Sequence, residues 1–322
     1  MLKLVLVFAT GFVFLFFVFK DINWETQVSK MLQANKAWLG FGIGLSVLSH
    51  WIRAYRANLM YKAIGYKVSN SNSFMAVLVG YMFNYLIPRA GEVSRCASLL
   101  QTSQLPIDKT LGTVVTERIV DLLILILILG VILLMQFEVI WDFIQSHLPQ
   151  QNEGLSTLQI TLIAVFLLLL AIVFFKWKYV TNLATVKKIT TLLQGFKEGV
   201  LSIFKLEKPI LFIVLSVAIW LGYILMMYFC LFALEATSAL SFIDCLTVFA
   251  IGTIGVVLPA PGAGAGTYHF FVTQALLLFS VPKEDGLAYA TLVHGSQMIL
   301  LIILGLIASV VVMIQKRKNS HA

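Results

Sequence analysis

The sequence predicts an all-α polytopic membrane protein, with about six full transmembrane helices and two broken or re-entrant helical hairpins in an inverted repeat. Hydrophobic residues make up 60% of the 322 residues and charged residues only 12%, whereas soluble domains carry about 25% charged residues. The mean hydropathy is +0.93. The apolar residues come in blocks of roughly 15 to 25, the length that crosses a hydrocarbon core of about 30 Å. This composition excludes a soluble enzyme.

Basic residues indicate how the chain is oriented. Lysines and arginines concentrate in loops that a six-span arrangement places on one side, and Arg53 and Arg56 are interpreted as part of the loop that follows the second span. Such loops stay in the cytoplasm, so both termini are expected there. The first block lacks a signal-peptide cleavage site and is interpreted as a retained span. The six predicted spans are 2–19, 37–52, 111–135, 158–175, 209–234 and 287–314.

The remaining composition argues against other partners. The net charge of +8 comes without a stripe of basic and aromatic residues, so no nucleic acid is expected, and no cofactor or metal site is apparent. Between the fourth and fifth spans, segment 186–205 repeats apolar residues at helical spacing among lysines. This pattern is typical of a cytoplasmic amphipathic helix. It fits either a helix in the membrane interface or one packed on the bundle.

Two apolar blocks are interrupted by proline and small residues in a similar way. The first unit, 73–130, breaks at Pro88, and the second, 241–305, breaks at Pro259 and Pro261. The basic loops place the entries of the two units on opposite sides, which predicts an inverted repeat within one domain. Inverted repeats with discontinuous helices are a recurring plan of secondary transporters. Chance similarity between apolar segments is the alternative.

The first break is rich in charged residues. Glu117 and Asp121 lie one helical turn apart on one face, with Arg118 beside them. A charge at the centre of the membrane costs about 2.5–3.5 kcal/mol, so such charges are expected to be paired and to face a cavity. They form either a structural salt-bridge cluster or an anion site in which arginines bind a lipid phosphate. The candidate residues of this site are Asn84, Arg89, Glu92, Arg95, Glu117, Arg118 and Asp121.

The second break is rich in glycine. Gly262, Gly264 and Gly266 permit positive φ angles and close backbone approach. Thr267 is expected to cap the half-helix that follows, whose N-terminus would favour an anion. A flexible hinge or a tight helix contact is the alternative. His269 lies next to this break.

Catalytic chemistry has no recognisable motif here. The sequence has no HExxH, no nucleophile elbow and no acid-rich metal motif, so we expect no enzyme. The rival hypothesis is a membrane-embedded transferase or phosphatase that acts on a lipid carrier through Glu117, Asp121 or His269. His294 and Gln297, near the second break, leave open either a proton relay or hydrogen bonds within the bundle.

Three motifs in order resemble the transmembrane region of lysylphosphatidylglycerol synthases. They are Asn84…Pro88-Arg89-x-Gly91-Glu92…Arg95, then Glu117-Arg118…Asp121, then Pro261-Gly262-x-Gly264…Gly266. This region also occurs alone in flippase-like proteins of the UPF0104 type. In multiple peptide resistance factors it moves lipid between leaflets, while a separate domain attaches the amino acid.

The resemblance implies a flippase for an anionic or phosphate-bearing lipid, with isoprenoid-linked and aminoacylated lipids among the candidates. Its partners would be anionic phospholipid or lipid-linked phosphate in a bacterial cytoplasmic membrane, and a homodimer is one option. Arg89, Arg95 and Arg118 would bind the head group, and the glycine-rich break would form the opposing half-site. Residues 315–322 leave no room for a synthase domain, which argues against aminoacyl transfer. The family often has glutamate where this chain has Tyr268-His269.

Overall fold

In the computed structural model, all regular structure of the described residues is helical, which confirms the all-α prediction. The structure describes residues 22–88, 90–139, 206–258 and 260–320, with 13, 14, 16, 18–20 and 141; Arg89, Pro259, most of the predicted first span, the predicted fourth span and segment 186–205 lie outside them. The helices are α1 (Trp24–Gln33), α2 (Lys36–Ala63), α3 (Asn70–Leu86), α4 (Gly91–Ser103), α5 (Ile107–Met135), α6 (Pro209–Leu231), α7 (Glu235–Ser238), α8 (Phe242–Val257), α9 (Pro261–Gly264), α10 (Thr267–Leu277) and α11 (Lys283–Ser320).

Three of the described helices, α5, α6 and α11, are long and apolar enough to cross a membrane. In the most apolar 18-residue stretch of each of these helices, only 22–28% of the residues are buried inside the protein. Most of these side chains therefore face outward, where lipid rather than water suits them. The chain is a membrane protein with several apolar helices, and the count of six spans stays a prediction.

Helix α2 corrects one part of the sequence interpretation. It begins at Lys36, where the side chain of Asn35 accepts the N–H groups of Ala37 and Trp38, and it continues to Ala63. Arg53 and Arg56 are therefore not loop residues. They are only 6% and 0% exposed, respectively, because their long side chains reach carboxylates on α5.

The most extensive contact between two described helices is that of α2 with α6. A Cβ atom on Gly42 would meet Sγ of Cys230 at 2.5 Å, and one on Gly222 would collide with the hydroxyl of Ser49. Small residues at such contacts let helix backbones approach closely, which is how helices associate inside a membrane. Helices α2 and α6 therefore pack as one unit.

Both broken units have the same order of elements. In the first, α3 and α4 are separated by a short break and are followed by the long α5. In the second, α8 and α10 are separated by a break that contains the four-residue segment α9, where Gly262 and Ala263 have non-helical backbone angles, and are followed by the long α11. Helix α9 lies against α3, so the second break is close to the first unit. Ser69 caps the start of α3, and Ser241 forms a capping box with Asp244 at the start of α8. The inverted orientation of the units stays a prediction.

Candidate functional site

Two buried carboxylates of α5 form the centre of the site. Glu117 accepts a bidentate pair of hydrogen bonds from Arg95, with Nη1 to Oε2 at 3.0 Å and Nη2 to Oε1 at 2.9 Å. One turn further along, Asp121 accepts from Nη1 of Arg53 at 2.8 Å and from Nη1 of Arg56 at 2.7 Å. Both carboxylates are thus paired with arginine, as expected for charges at this depth.

Two of these arginines, Arg53 and Arg56, were missed by the sequence analysis as site residues. Arg56 also donates to the hydroxyl of Ser216 at 2.9 Å, and its guanidinium lies 5.4 Å from the ring centre of Phe212. Its Nη2 is 3.6 Å from Glu117, a contact without a hydrogen bond. The three-residue spacing of Arg53 and Arg56, which places them on one helical face, was the available signal.

The buried cluster carries an excess of one positive charge. In the described part of the chain, three guanidinium groups, from Arg53, Arg56 and Arg95, face two carboxylates. Four of their N–H positions make no hydrogen bond with the described residues: Nε of each arginine and Nη2 of Arg56. The cluster therefore has both charge and donors left over.

An open pocket, which we call the arginine pocket, lies in front of this cluster, between α2, α3, α4 and α5. Arg118 donates from Nε to Oε1 of Glu92 at 3.0 Å, and both side chains are well exposed. Four of the candidate residues predicted from the sequence therefore line one pocket: Asn84, Glu92, Arg95 and Arg118. The polar lining residues are Arg53, Tyr81, Asn84, Glu92, Arg95 and Arg118.

The junction between α3 and α4 fixes the positions of the residues that line the arginine pocket. Oδ1 of Asn84 accepts the N–H of Gly91 at 2.9 Å. A Cβ on Gly91 would collide with the carbonyl of Gly80 and with the Asn84 amide, so only glycine allows the two helices to meet here. This close contact turns α4 back along α3 and points Arg95 at α5.

The glycine-rich break has the backbone that its sequence predicted. The φ angles of Gly262, Gly264 and Gly266 are 61°, 101° and 87°. Ala263 also has a positive φ of 52°, a conformation that costs an L-residue about 1–2 kcal/mol. The turn is therefore held by its surroundings, including α3, as well as by its glycines.

Thr267 and His269 act differently from the expectation. The hydroxyl of Thr267 donates to the carbonyls of Gly255 at 2.6 Å and Gly264 at 3.1 Å, so it ties the break to α8 instead of capping α10. Nδ1 of His269 accepts the N–H of Gly266 at 3.3 Å, an acceptor role that a carboxylate could also fill. Gly266 is therefore not a free donor for an anion.

Among the described residues, those that line the arginine pocket include none of Gly262, Gly264, Gly266, Thr267 and His269. Glu117 and Asp121 do not line the arginine pocket, but they bind Arg95 and Arg53, which do. The opposing half-site at the glycine-rich break stays a prediction.

Neither metal ligation nor a disulfide is visible in the described ranges. No three His, Cys, Asp or Glu side chains come together there as a metal site would need. Cys96, Cys230 and Cys245 are buried and unpaired, as expected of thiols that act as small apolar groups. The described polar residues that line the arginine pocket carry guanidinium, carboxylate, amide and hydroxyl groups.

Comparison with known proteins agrees with this architecture. The family model described as the lysylphosphatidylglycerol synthase TM region matches residues 1–305. The UPF0104 membrane protein MJ1595 of Methanocaldococcus jannaschii is 24% identical over 332 aligned positions, which cover 96% of this chain and 95% of the relative. No solved structure matches. The chain belongs to the family of the lysylphosphatidylglycerol synthase transmembrane region.

Proposed function

We propose that this protein moves an anionic or phosphate-bearing lipid between the leaflets of the membrane and binds the head group in the arginine pocket. The observation that carries the proposal is the excess positive charge of the buried cluster. A buried charge without a partner is strongly unfavourable, and an anionic head group would neutralise it. The unused Nε–H groups of the two lining arginines, Arg53 and Arg95, suit phosphate oxygens.

The depth of the cluster supports transfer across the membrane. Glu117 is the eleventh residue of the 29-residue α5, about 15 Å from the start of a helix about 43 Å long. Ion pairs so far from the start of the helix suit transport, because a head group that crosses the hydrocarbon core needs polar partners there.

The remaining parts of the proposal follow the charge pattern and the family. Both termini face the cytoplasm, the membrane is the cytoplasmic membrane, and the lipid leaves chemically unchanged. A homodimer and isoprenoid-linked or aminoacylated substrates stay hypotheses. The relative found by comparison is archaeal, so it lends no support to a bacterial source.

Lipid scrambling in liposomes tests the proposal. Fluorescent phosphatidylglycerol and phosphatidylcholine would be followed with wild type, Arg118→Gln and Lys62→Gln. Arg118 and Lys62 form matched exposed ion pairs, with side chains 53% and 58% exposed, but only Arg118 lines the pocket. Arg118→Gln should slow the anionic lipid about tenfold or more, the loss expected for a hydrogen bond to a charged group, and Lys62→Gln should not.

Equal rates for the two variants, or equal movement of both lipids by wild type, would contradict the proposal if the proteins are folded and inserted. Thin-layer analysis of the recovered lipid addresses the enzyme hypothesis in the same experiment. Unchanged lipid supports transport, and a modified lipid supports a transferase or phosphatase.

A further inference from the structure

The arginine pocket has two exposed charged side chains at its opening, one on each of two neighbouring helices. Glu92 on α4 and Arg118 on α5 both line the pocket, and both side chains are well exposed. A second ion pair between the same helices, Arg95 with Glu117, is buried. Helices α4 and α5 are thus joined by an outer and an inner ion pair, and the outer pair lies at the opening of the pocket.

Arg118 lies on an apolar face of α5. Leu111 and Val115 come seven and three residues before it, and Leu122 comes four residues after it, so these side chains share one helical face. All three leucine and valine side chains are exposed, and Ile126 continues the exposed face one turn further on. Because α5 is apolar enough to cross a membrane, hydrocarbon is the environment that suits this face. Arg118 therefore has the arginine pocket on one side and a lipid-facing surface on the other.

Helix α4 and the first break add apolar side chains near Glu92. Val93 follows Glu92 in the sequence and is exposed, as is Leu100 seven residues later on the same face. Leu86 and Ile87, at the break between α3 and α4, are exposed as well. An opening with apolar surroundings suits a ligand that carries hydrocarbon tails better than a water-soluble anion, because the tails remove apolar surface from water.

We propose that the arginine pocket opens sideways into the bilayer between α4 and α5, so that a lipid enters head group first while its tails stay outside on the apolar face of α5. This inference rests on the proposed lipid function and adds the route of entry and a surface for the tails. A phosphate oxygen replaces the carboxylate of Glu92 as the partner of Arg118. This exchange is easy at the outer pair, because exposed ion pairs contribute little stability. The free Nε–H groups of Arg53 and Arg95 then bind the head group inside the pocket.

The length of α5 allows a tail to follow its apolar face. Arg118 is the twelfth residue of the 29-residue helix, so the longer part of α5 lies beyond it. One leaflet accounts for about 15 Å of the hydrocarbon core, which is the length of about ten helical residues. A tail that starts beside Arg118 and runs along this part of the helix therefore passes Leu122 and Ile126. Leu122, one turn from Arg118, is the position at which we expect the bound tail to be detected.

Quenching by lipids with brominated tails tests the inference. A fluorescent bimane label would be attached at Leu122→Cys, and at Leu221→Cys as the matched control. Both leucines lie on helices that are apolar enough to cross a membrane, and they are 48% and 47% exposed. Leu221 lies on α6, which contributes no described residue to the lining of the arginine pocket. Wild type treated with the label corrects for the three native cysteines, which are buried.

The expected result is a preference for anionic lipid at one position only. Brominated phosphatidylglycerol should quench the label at Leu122→Cys with about fivefold higher apparent affinity than brominated phosphatidylcholine, whose choline cation meets the excess charge of the arginines. Such a factor corresponds to two unit charges about 4 Å apart in water. The two lipids should quench Leu221→Cys equally, and addition of Arg118→Gln to Leu122→Cys should remove most of the preference. Glycerophosphoglycerol, the same head group without tails, should not displace the lipid at equal concentration.

The outcomes separate this inference from the proposed transport. Equal quenching of Leu122→Cys by both lipids would overturn it, as would displacement by equimolar glycerophosphoglycerol, the behaviour of a pocket that takes soluble anions from water. A label at Leu122→Cys that neither lipid quenches would also overturn it, because protein would then cover this face. Selective quenching without lipid movement would support the sideways opening and refute transport. Lipid movement without selective quenching would support transport and refute the sideways opening.

Discussion

Replacing Glu117 by glutamine is the most direct test of the buried cluster. The change removes one carboxylate, so Arg95 loses a bidentate partner with bonds of 3.0 and 2.9 Å, and Arg56 loses a contact at 3.6 Å. The excess positive charge rises from one to two. Breaking a buried ion pair by removing one partner costs about 3–5 kcal/mol, because the remaining charge stays buried without compensation. We expect Glu117→Gln to lower the free energy of unfolding by this amount.

The same substitution at Glu92 provides the control. Glu92 also accepts from a single arginine, Arg118 at 3.0 Å, but its side chain is 44% exposed against 2% for Glu117. Exposed ion pairs contribute about 0–1 kcal/mol, so Glu92→Gln should change stability little. Unfolding in mixed micelles with increasing denaturing detergent, followed by tryptophan fluorescence, measures both variants.

Equal losses of stability in the two glutamine variants would refute this reasoning. That result would mean that water in the pocket solvates Glu117 and Arg95 as fully as it solvates the outer pair. The excess charge would then cost little and would no longer call for an anionic ligand. The experiment therefore bears on the proposed function as well as on stability.

Three further changes probe the packing and the polar ends of the helices. Gly91→Ala should destabilise by about 1–3 kcal/mol through overpacking and should slow lipid movement, because its Cβ would push α4 away from α3. Thr237→Val should cost about 1 kcal/mol in thermal unfolding, since it removes the 2.6 Å hydrogen bond to the Leu231 carbonyl. The hydrogen bond from Lys62 lowers the pKa of the exposed Glu207, so this pair stabilises above the unfolded-state pKa and loses that effect as pH falls through the lowered pKa.

Each of these expectations can fail on its own. A Gly91→Ala variant with wild-type stability would show that α3 and α4 can separate freely. A neutral Thr237→Val would mean that water replaces the hydroxyl. For the pH effect, Glu207→Gln is the comparison, and an unchanged difference from wild type across the acid range would contradict the role of Lys62.

The residues of the pocket could be predicted from the sequence where their partners are local or spaced on one face. Asn84, Glu92 and Arg95 lie on the two sides of one break within a dozen residues, and the one-turn spacing of Glu117 and Asp121 marks a shared face. The ion pairs of α2 could not be predicted in this way. Arg53 and Arg56 lie 68 and 65 positions before Asp121 in the sequence. A count of basic residues takes such arginines as signals of membrane topology.

The glycine-rich break shows the same limit at shorter range. Glycine permits the positive φ angle of Gly262, but the sequence did not predict that Ala263 has one as well. The role of Thr267 depends on carbonyls that the break itself leaves open, one of them on the preceding helix at Gly255. A threonine at a helix start usually accepts an N–H, so local sequence predicts a cap. The folded backbone supplies a better acceptor.

Arg56 lies close to both Glu117 and Asp121. The cluster could therefore exchange partners without leaving either carboxylate unpaired. Asp121 is bound by Arg53, which lines the pocket, and by Arg56, which does not. Glu117 is bound by Arg95, another lining residue, and has Arg56 nearby at 3.6 Å. An anion that draws either lining arginine into the pocket would leave its carboxylate next to Arg56. Arg56 therefore lets a head group bind and leave without leaving a buried acid unpaired, which a cluster of two arginines and two acids could not do. The energetic cost of an unpaired buried acid would otherwise slow each transfer.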